Sequence, residues 1–333
     1  MKKIINLTMF DLLKGVAMLG VLFIHSIYLE NRLFGSVWYE RIGHTLLMPS
    51  FFLMSGYWLK KKSIKEGVKN GTVYLLKPLL LVLVIMNFVG FVHRAIQGNL
   101  QEWVDVFLVP SVLMTNTSNS RLGPLWYILA LFWAWCIFYV VVQVKDEKRQ
   151  ILIAVLSALI GGILMPFKIP FQIAQGLVAF FYVYVGYLIK KKKLLDKKLH
   201  FGVYIFLAAI WLLIVNVGSL DFYFYNVKYG IISVIGSLCG AFLLIKLFLY
   251  INLLEWKALD GIRWVGRYSM WFMCIHALEG AIFPWKFLFA YVEKGRWTGT
   301  LLQFVLRVLL ILSVCIMLQK FQMYYKRRKL KSE

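Results

Sequence analysis

Negative charge is what this sequence has least of. Of 333 residues only 15 are Asp or Glu, and charged residues of both signs make up 16%, where soluble domains carry about 25%. Hydrophobic residues reach 61%, so the polar remainder cannot cover a water-facing surface, and an ordinary soluble globular protein is excluded. Cysteine is sparse too. Cys136, Cys239, Cys274 and Cys315 lie singly inside apolar runs without CxxC spacing, so neither a disulfide framework nor a metal site is expected. Walker and dinucleotide glycine patterns are missing, as is any repeat of fixed period. The acidic shortage leaves a net charge of +23, which in another setting would suggest nucleic acid. Here Lys and Arg fall in separate blocks between apolar runs rather than in one patch, so no nucleic-acid partner is expected.

What the sequence does have is a succession of apolar runs. Crossing a bilayer takes about 17–25 apolar residues in a helix. Ten runs approach that length, near residues 9–29, 42–59, 73–92, 124–144, 150–165, 171–189, 200–217, 229–250, 268–284 and 299–320, the fifth being short. The expected fold is therefore all-α: a polytopic membrane protein of about ten transmembrane helices, one integral-membrane domain over 1–333 with a basic tail at 320–333. Met1–Thr8 is too brief and too weakly basic for a cleaved signal, and the first run is expected to stay in place. With the N-terminus inside, 25 of the 38 Lys and Arg fall in inner segments and 9 in outer ones. The remaining four, Lys14, Lys77, Lys246 and Arg307, fall within spans. Both termini are thus expected in the cytoplasm. Lys60–Lys62, Lys190–Lys193 and Lys326–Lys329 read as inner-leaflet anchors. Gln101–Met114 fits either an interfacial helix or a loop.

An ionisable group near mid-membrane costs at least about 2.5 kcal/mol on insertion scales, so such groups are functional candidates. The first span holds Asp11, Lys14 and His25. Eleven residues at about 100° and 1.5 Å each put Lys14 and His25 on one face, about 16 Å apart. Asp11 and Lys14, three apart, can pair on that face. A single histidine in an apolar helix reads as a packing residue as readily as a catalyst. His276, in a second span, changes the balance, because both imidazoles can share one depth. Glu279, three residues beyond, either orients His276 or sits at the interface. Arg307 neutralises Glu279, meets a substrate charge, or snorkels outward. Lys14 and Lys77 either snorkel or hold an anionic ligand, and His44, His93 and His200, at span ends, carry no assigned role.

Four segments in order carry a resemblance. They are Asp11-Leu12-Leu13-Lys14-Gly15 followed by His25-Ser26; Met48-Pro49-Ser50 through Ser55-Gly56-Tyr57; Gly123-Pro124-Leu125-Trp126-Tyr127; and Tyr268-Ser269-Met270 through His276. Together they resemble the integral-membrane acyltransferase type 3 family along the whole chain. The family's basic residue eleven positions before the histidine is usually arginine and is Lys14 here; its third-span basic residue corresponds to Lys77, again with lysine for arginine. Lysine keeps the charge and loses the bidentate fork.

The resemblance implies a ten-helix enzyme of the bacterial cytoplasmic membrane. It would move an acyl group, usually acetyl from cytoplasmic acetyl-CoA, to a hydroxyl of a cell-surface polysaccharide or a lipid-linked glycan precursor. It would act alone or with a separate extracytoplasmic transferase. Acetyl-CoA is then a co-substrate, and no metal is expected. His25 is the candidate general base. Tyr127, Trp126, His276 and Arg307 are candidate donors to the developing oxyanion. Lys14 and Lys77 would receive the phosphates of coenzyme A. Trp126 and Tyr127 either stack on a sugar or belong to an aromatic belt, and Ser55 either lines a channel or lets helices pack closely. The competing reading is a transporter or flippase that uses the same intramembrane charges, although no related halves are visible.

Overall fold

The computed structural model describes residues 7–30, 41–115, 120–217, 219–223, 225–254, 256–283, 285 and 297–330; for 7, 28–30, 219, 297 and 325–330 it describes the backbone alone. Lys331 to Glu333 of the basic tail, and the side chains of Lys326 to Lys329, lie outside the described residues.

Every one of the ten apolar runs is helical. They are α1 (Leu7–Glu30), α2 (Met48–Trp58), α4 (Lys77–Ile96), α7 (Trp126–Val141), α8 (Glu147–Leu164), α9 (Ile173–Lys191), α10 (Phe201–Val217), α11 (Ile231–Asn252), α13 (Ser269–Ile282) and α14 (Trp297–Leu330). Among the described residues seven helical stretches are long and apolar enough to cross a membrane; the stretches containing α2, α10 and α13 are shorter. Large apolar side chains face outward, among them Val84, Phe88, Phe206 and Met317. No water-facing surface would present such a belt, and the chain is an all-α polytopic membrane protein.

Four short helices lie outside these runs. α3 (Ile64–Gly71) starts with Ser63, whose hydroxyl accepts the Glu66 N–H. Serine three residues before glutamate is a capping pattern. α3 passes through a π-helical turn at Thr72–Leu76 into α4, which makes one continuous helix. The Lys77 N–H reaches Thr72 O across the wide turn, so Pro78 falls where no donor is needed. The segment from Gln101 to Met114 is also helical: α5 (Leu100–Trp103) and α6 (Val109–Leu113) flank a π-helical turn. The fourth short helix, α12 (Leu259–Arg267), is polar on one side and lies along α1. The only strands among the described residues, β1 (Ser219–Asp221) and β2 (Asn226–Lys228), pair antiparallel in a small hairpin.

Backbone contact through glycine fixes two crossings. A Cβ on Gly56 of α2 would lie 1.8 Å from Val183 O, and one on Gly186 of α9 would lie 2.1 Å from Leu53 O. Likewise a Cβ on Gly15 of α1 would lie 2.0 Å from Ile262 O, and one on Gly266 of α12 would lie 1.7 Å from Asp11 O. Hydrocarbon supplies no hydrophobic drive between helices, so close van der Waals approach of small residues does the holding. Buried Lys246 of α11 is accounted for as well. Its ammonium donates to Leu195 O and Lys197 O, both at 2.8 Å, closing the turn after α9.

Candidate active site

α1, α13 and α14 bring four ionisable side chains into one chain of contacts. His25 Nδ1 lies 2.8 Å from His276 Nε2. His276 Nδ1 lies 2.8 Å from Glu279 Oε1. Arg307 donates to that same oxygen from Nε at 3.0 Å and from Nη2 at 2.6 Å, and its Nη1 reaches Ser26 Oγ at 3.1 Å. The other carboxylate oxygen accepts the indole N–H of Trp285. Arg307 is 1% exposed and His276 2%, so neither snorkels nor meets bulk water.

The chemistry of these groups orders the protons. A carboxylate only accepts and a guanidinium only donates. His276 therefore carries its proton on Nδ1, aimed at Glu279. The 3.2 Å approach of Arg307 Nη2 to His276 Nδ1 follows from two donors sharing one oxygen. With Nδ1 protonated, Nε2 of a neutral His276 is an acceptor and takes the Nδ1–H of His25. The lone pair of His25 is then on Nε2, the ring nitrogen left for a ligand. The carboxylate is offset by Arg307, so a buried ion pair orders two stacked imidazole hydrogen bonds.

His25 and His276 line one cavity of about 1170 Å³. Lys14, Arg267 and Tyr268 also line it, as do Ser120, Arg121, Gly123, Trp126, Tyr127 and Tyr223. The histidines are thus connected to the cationic residues of α1 and α12 and to the loop before α7. Asp11 pairs with Lys14 at 3.1 Å and stands 3.6 Å from Arg267 Nε. It is buried and does not line the cavity, so it holds two cations that do. α13 begins at Ser269 without a side-chain cap, and Tyr268 to Trp271 face the cavity there. The uncapped first turn of α13, on the same wall as Lys14 and Arg267, suits an anion.

The other residues singled out in the sequence divide. Trp126 and Tyr127 open α7 on the cavity wall; the Trp126 ring stacks on Phe222 at 5.6 Å and 14°, and Tyr127 packs against Phe51 and Phe52. Ser55 lines the cavity and accepts the Trp135 indole N–H at 2.8 Å, while close packing at that crossing falls to Gly56. Glu279 stands behind His276, off the cavity surface. Lys77 is exposed and not on the cavity wall; its neighbour Pro78 is. Of the Lys190–Lys193 block, Lys191 and Lys192 pair with Glu147, whereas Lys190 stands 4.8 Å over the ring of Trp58, itself a lining residue.

Sequence reasoning passed over Arg267, Arg121, Tyr223 and Trp285. The first three lie in a short polar helix and in loops, where hydropathy has no signal. Trp285 is a partner only through the three-dimensional position of Glu279. His44, given no role, lines the cavity and faces Asp221 at 3.6 Å. No cluster of three or more metal-ligating side chains occurs among the described residues.

A membrane helix bundle thus encloses a cavity lined by the two imidazoles and by cations, with the carboxylate of Glu279 behind the wall. A family model described as an acyltransferase domain matches residues 8–320. The chain belongs to the acyltransferase 3 family and is a membrane acyltransferase. Neither a curated protein nor a solved structure matches it.

Proposed function

We propose that this acyltransferase moves an acetyl group from cytoplasmic acetyl-CoA to a hydroxyl of a cell-surface polysaccharide or lipid-linked glycan precursor, with His25 as general base. The observation that carries the reading is the single cavity joining the ordered His25–His276 pair to Lys14 and Arg267. The bias of Lys and Arg supports placing the Lys14 end in the cytoplasm. There Lys14, Arg267 and the first turn of α13 would take the phosphates of coenzyme A, and Asp11 would position both cations. Lys77, exposed and off the wall, plays no part in this arrangement.

His25 Nε2 takes the hydroxyl proton as the acceptor oxygen attacks the thioester carbonyl. The charge arising on His25 is carried by its Nδ1–H bond to His276, whose own proton is held by Glu279. As the C–S bond breaks, the proton returns from His25 Nε2 to the leaving sulfur, so the enzyme ends as it began. Arg307, which also lines the cavity, and the Tyr127 hydroxyl are the donors available to the developing oxyanion. The Trp126 ring, backed by Phe222, offers an apolar face for a sugar ring.

The test uses membranes containing the protein and acetyl-CoA labelled in the acetyl group. Covalent label on glycan is the expected result. A carrier or flippase would leave the glycan unlabelled, and that outcome would refute the enzyme reading.

A further inference from the structure

The cavity wall carries four guanidinium or ammonium groups, from Lys14, Arg121, Arg267 and Arg307, and the imidazoles of His25, His44 and His276. Among the described residues not one Asp or Glu lines it. Asp11 and Glu279 stand behind the wall and offset Lys14, Arg267 and Arg307 from there. Asp221 is occupied by His44 and by the Tyr223 N–H at 2.9 Å. Arg121 differs from the other cations in having no carboxylate partner among the described residues. A chamber with this balance in a low-dielectric bundle selects anions. Lys14 and Arg267 are accounted for by an acyl donor that carries phosphate. Arg121 is not.

Arg121 is exposed in the loop before α7 and lines this end of the cavity. Its backbone N–H is tied to Val106 O at 3.1 Å, which fixes the loop against the turn between α5 and α6. Gly123, two residues on, has φ +52 and nothing within 4 Å of where a Cβ would stand, so the backbone there is open to close approach. Ser120 and Tyr223 bond through their side chains beside it and line the same wall, next to Trp126. Every polar side chain on the cavity wall at this end is able to donate, and the guanidinium is a fork that matches carboxylate and phosphate oxygens.

We infer that the acceptor is an anion: a hydroxylated glycan whose carboxylate or phosphate is held by Arg121 while the hydroxyl to be acylated faces His25. The inference rests on the transferase reading above and narrows its acceptor to acidic glycans or to glycans still joined to a phosphate-bearing lipid.

The test uses purified protein in liposomes, acetyl-labelled acetyl-CoA, and the total glycan and lipid-linked glycan extract of cells expressing the chain. One portion of extract is left untreated. A second has its carboxylates reduced to alcohols with carbodiimide and borohydride, and a third has its phosphodiesters cleaved by mild acid. Labelling by the wild type should fall at least tenfold in one treated portion, and which portion it is names carboxylate or phosphate. Arg121→Gln should label untreated extract at least tenfold less and no longer distinguish treated from untreated. Arg121→Lys should recover part of the activity. Equal labelling of all three portions by the wild type overturns the inference while leaving the transferase standing, and needs no variant to fold. So does Arg121→Gln labelling at the wild-type rate. No label in any portion removes the transferase reading and this one with it.

Discussion

Glu279→Gln exchanges one acceptor oxygen for a donating NH2 at the point where four donors converge. Oε1 receives His276 Nδ1, Arg307 Nε and Arg307 Nη2, and Oε2 receives the Trp285 indole. If the amide turns its NH2 toward His276, then His276 Nδ1 becomes the acceptor and its proton moves to Nε2. His25 Nδ1 must then accept, which leaves the proton of His25 on the nitrogen that should take one from substrate. If the NH2 faces Trp285 instead, an indole N–H is left buried without a partner, at about 1–3 kcal/mol. Either way Arg307 loses its counter-ion inside the bundle, which costs about 3–5 kcal/mol. With the NH2 toward His276, turnover should fall about 10²–10⁴-fold, the usual contribution of a positioned base, with the KM for acetyl-CoA little changed; with the NH2 toward Trp285 the loss falls on stability. Single-turnover transfer from labelled acetyl-CoA measures the first effect and thermal unfolding the second. The double variant Glu279→Gln/Arg307→Met removes the orphaned cation and should regain most of the stability and little of the rate. Glu279→Leu removes the acceptor in every orientation, and a folded Glu279→Leu protein turning over within about threefold of wild type would refute the proton ordering, because the base contributes at least about 10²-fold.

Three further outcomes are expected. His25→Ala should insert normally and abolish O-acetylation, read by NMR of purified polysaccharide; normal acetyl content would remove His25 from the mechanism. Lys14→Gln and Arg267→Gln should each raise the KM for acetyl-CoA about tenfold or more, since a hydrogen bond to a charged group contributes about 1.5–3 kcal/mol; an unchanged KM in both would refute the phosphate site. Gly56→Ala places a methyl 1.8 Å from Val183 O, so α2 and α9 must separate. Its loss of stability should exceed the about 1–3 kcal/mol of ordinary core overpacking, and an unaltered thermal midpoint would show that the crossing is looser than described.

The helices were legible in the sequence because lipid imposes both length and uniform apolarity on a span. Thus the run at 200–217 is Phe201–Val217, and that at 299–320 lies within Trp297–Leu330. Helical spacing also put Asp11 beside Lys14 and Glu279 beside His276, since residues three apart share a face. The meeting of His25 with His276 was legible only as a shared depth. Their contact joins residues 251 apart, and no local pattern encodes which helices neighbour each other. Short polar elements escaped altogether. α12 supplies Arg267 and the loop before α7 supplies Arg121, yet neither has the apolar periodicity that marks a span. α3 was likewise hidden, because Ile64–Gly71 has no apolar run and is helical through its Ser63 cap and its packing of Gly67 on the Tyr139 ring.

The pairing of Glu279 with Arg307 also bears on how the protein is made. α14 carries its arginine inside the apolar stretch Thr298–Tyr324, where a lone cation is penalised by about 2.5–3.5 kcal/mol during insertion. α13 is too short to be a strong insertion signal and brings the opposite charge. The two segments are thus better accepted by the membrane together than one at a time, so a ribosome releasing a chain cut short before α14 would strand α13 with an unneutralised acid. In the proposed mechanism insertion and catalysis draw on the same ion pair, so variants at either residue should be screened for yield in the membrane before their rates are compared.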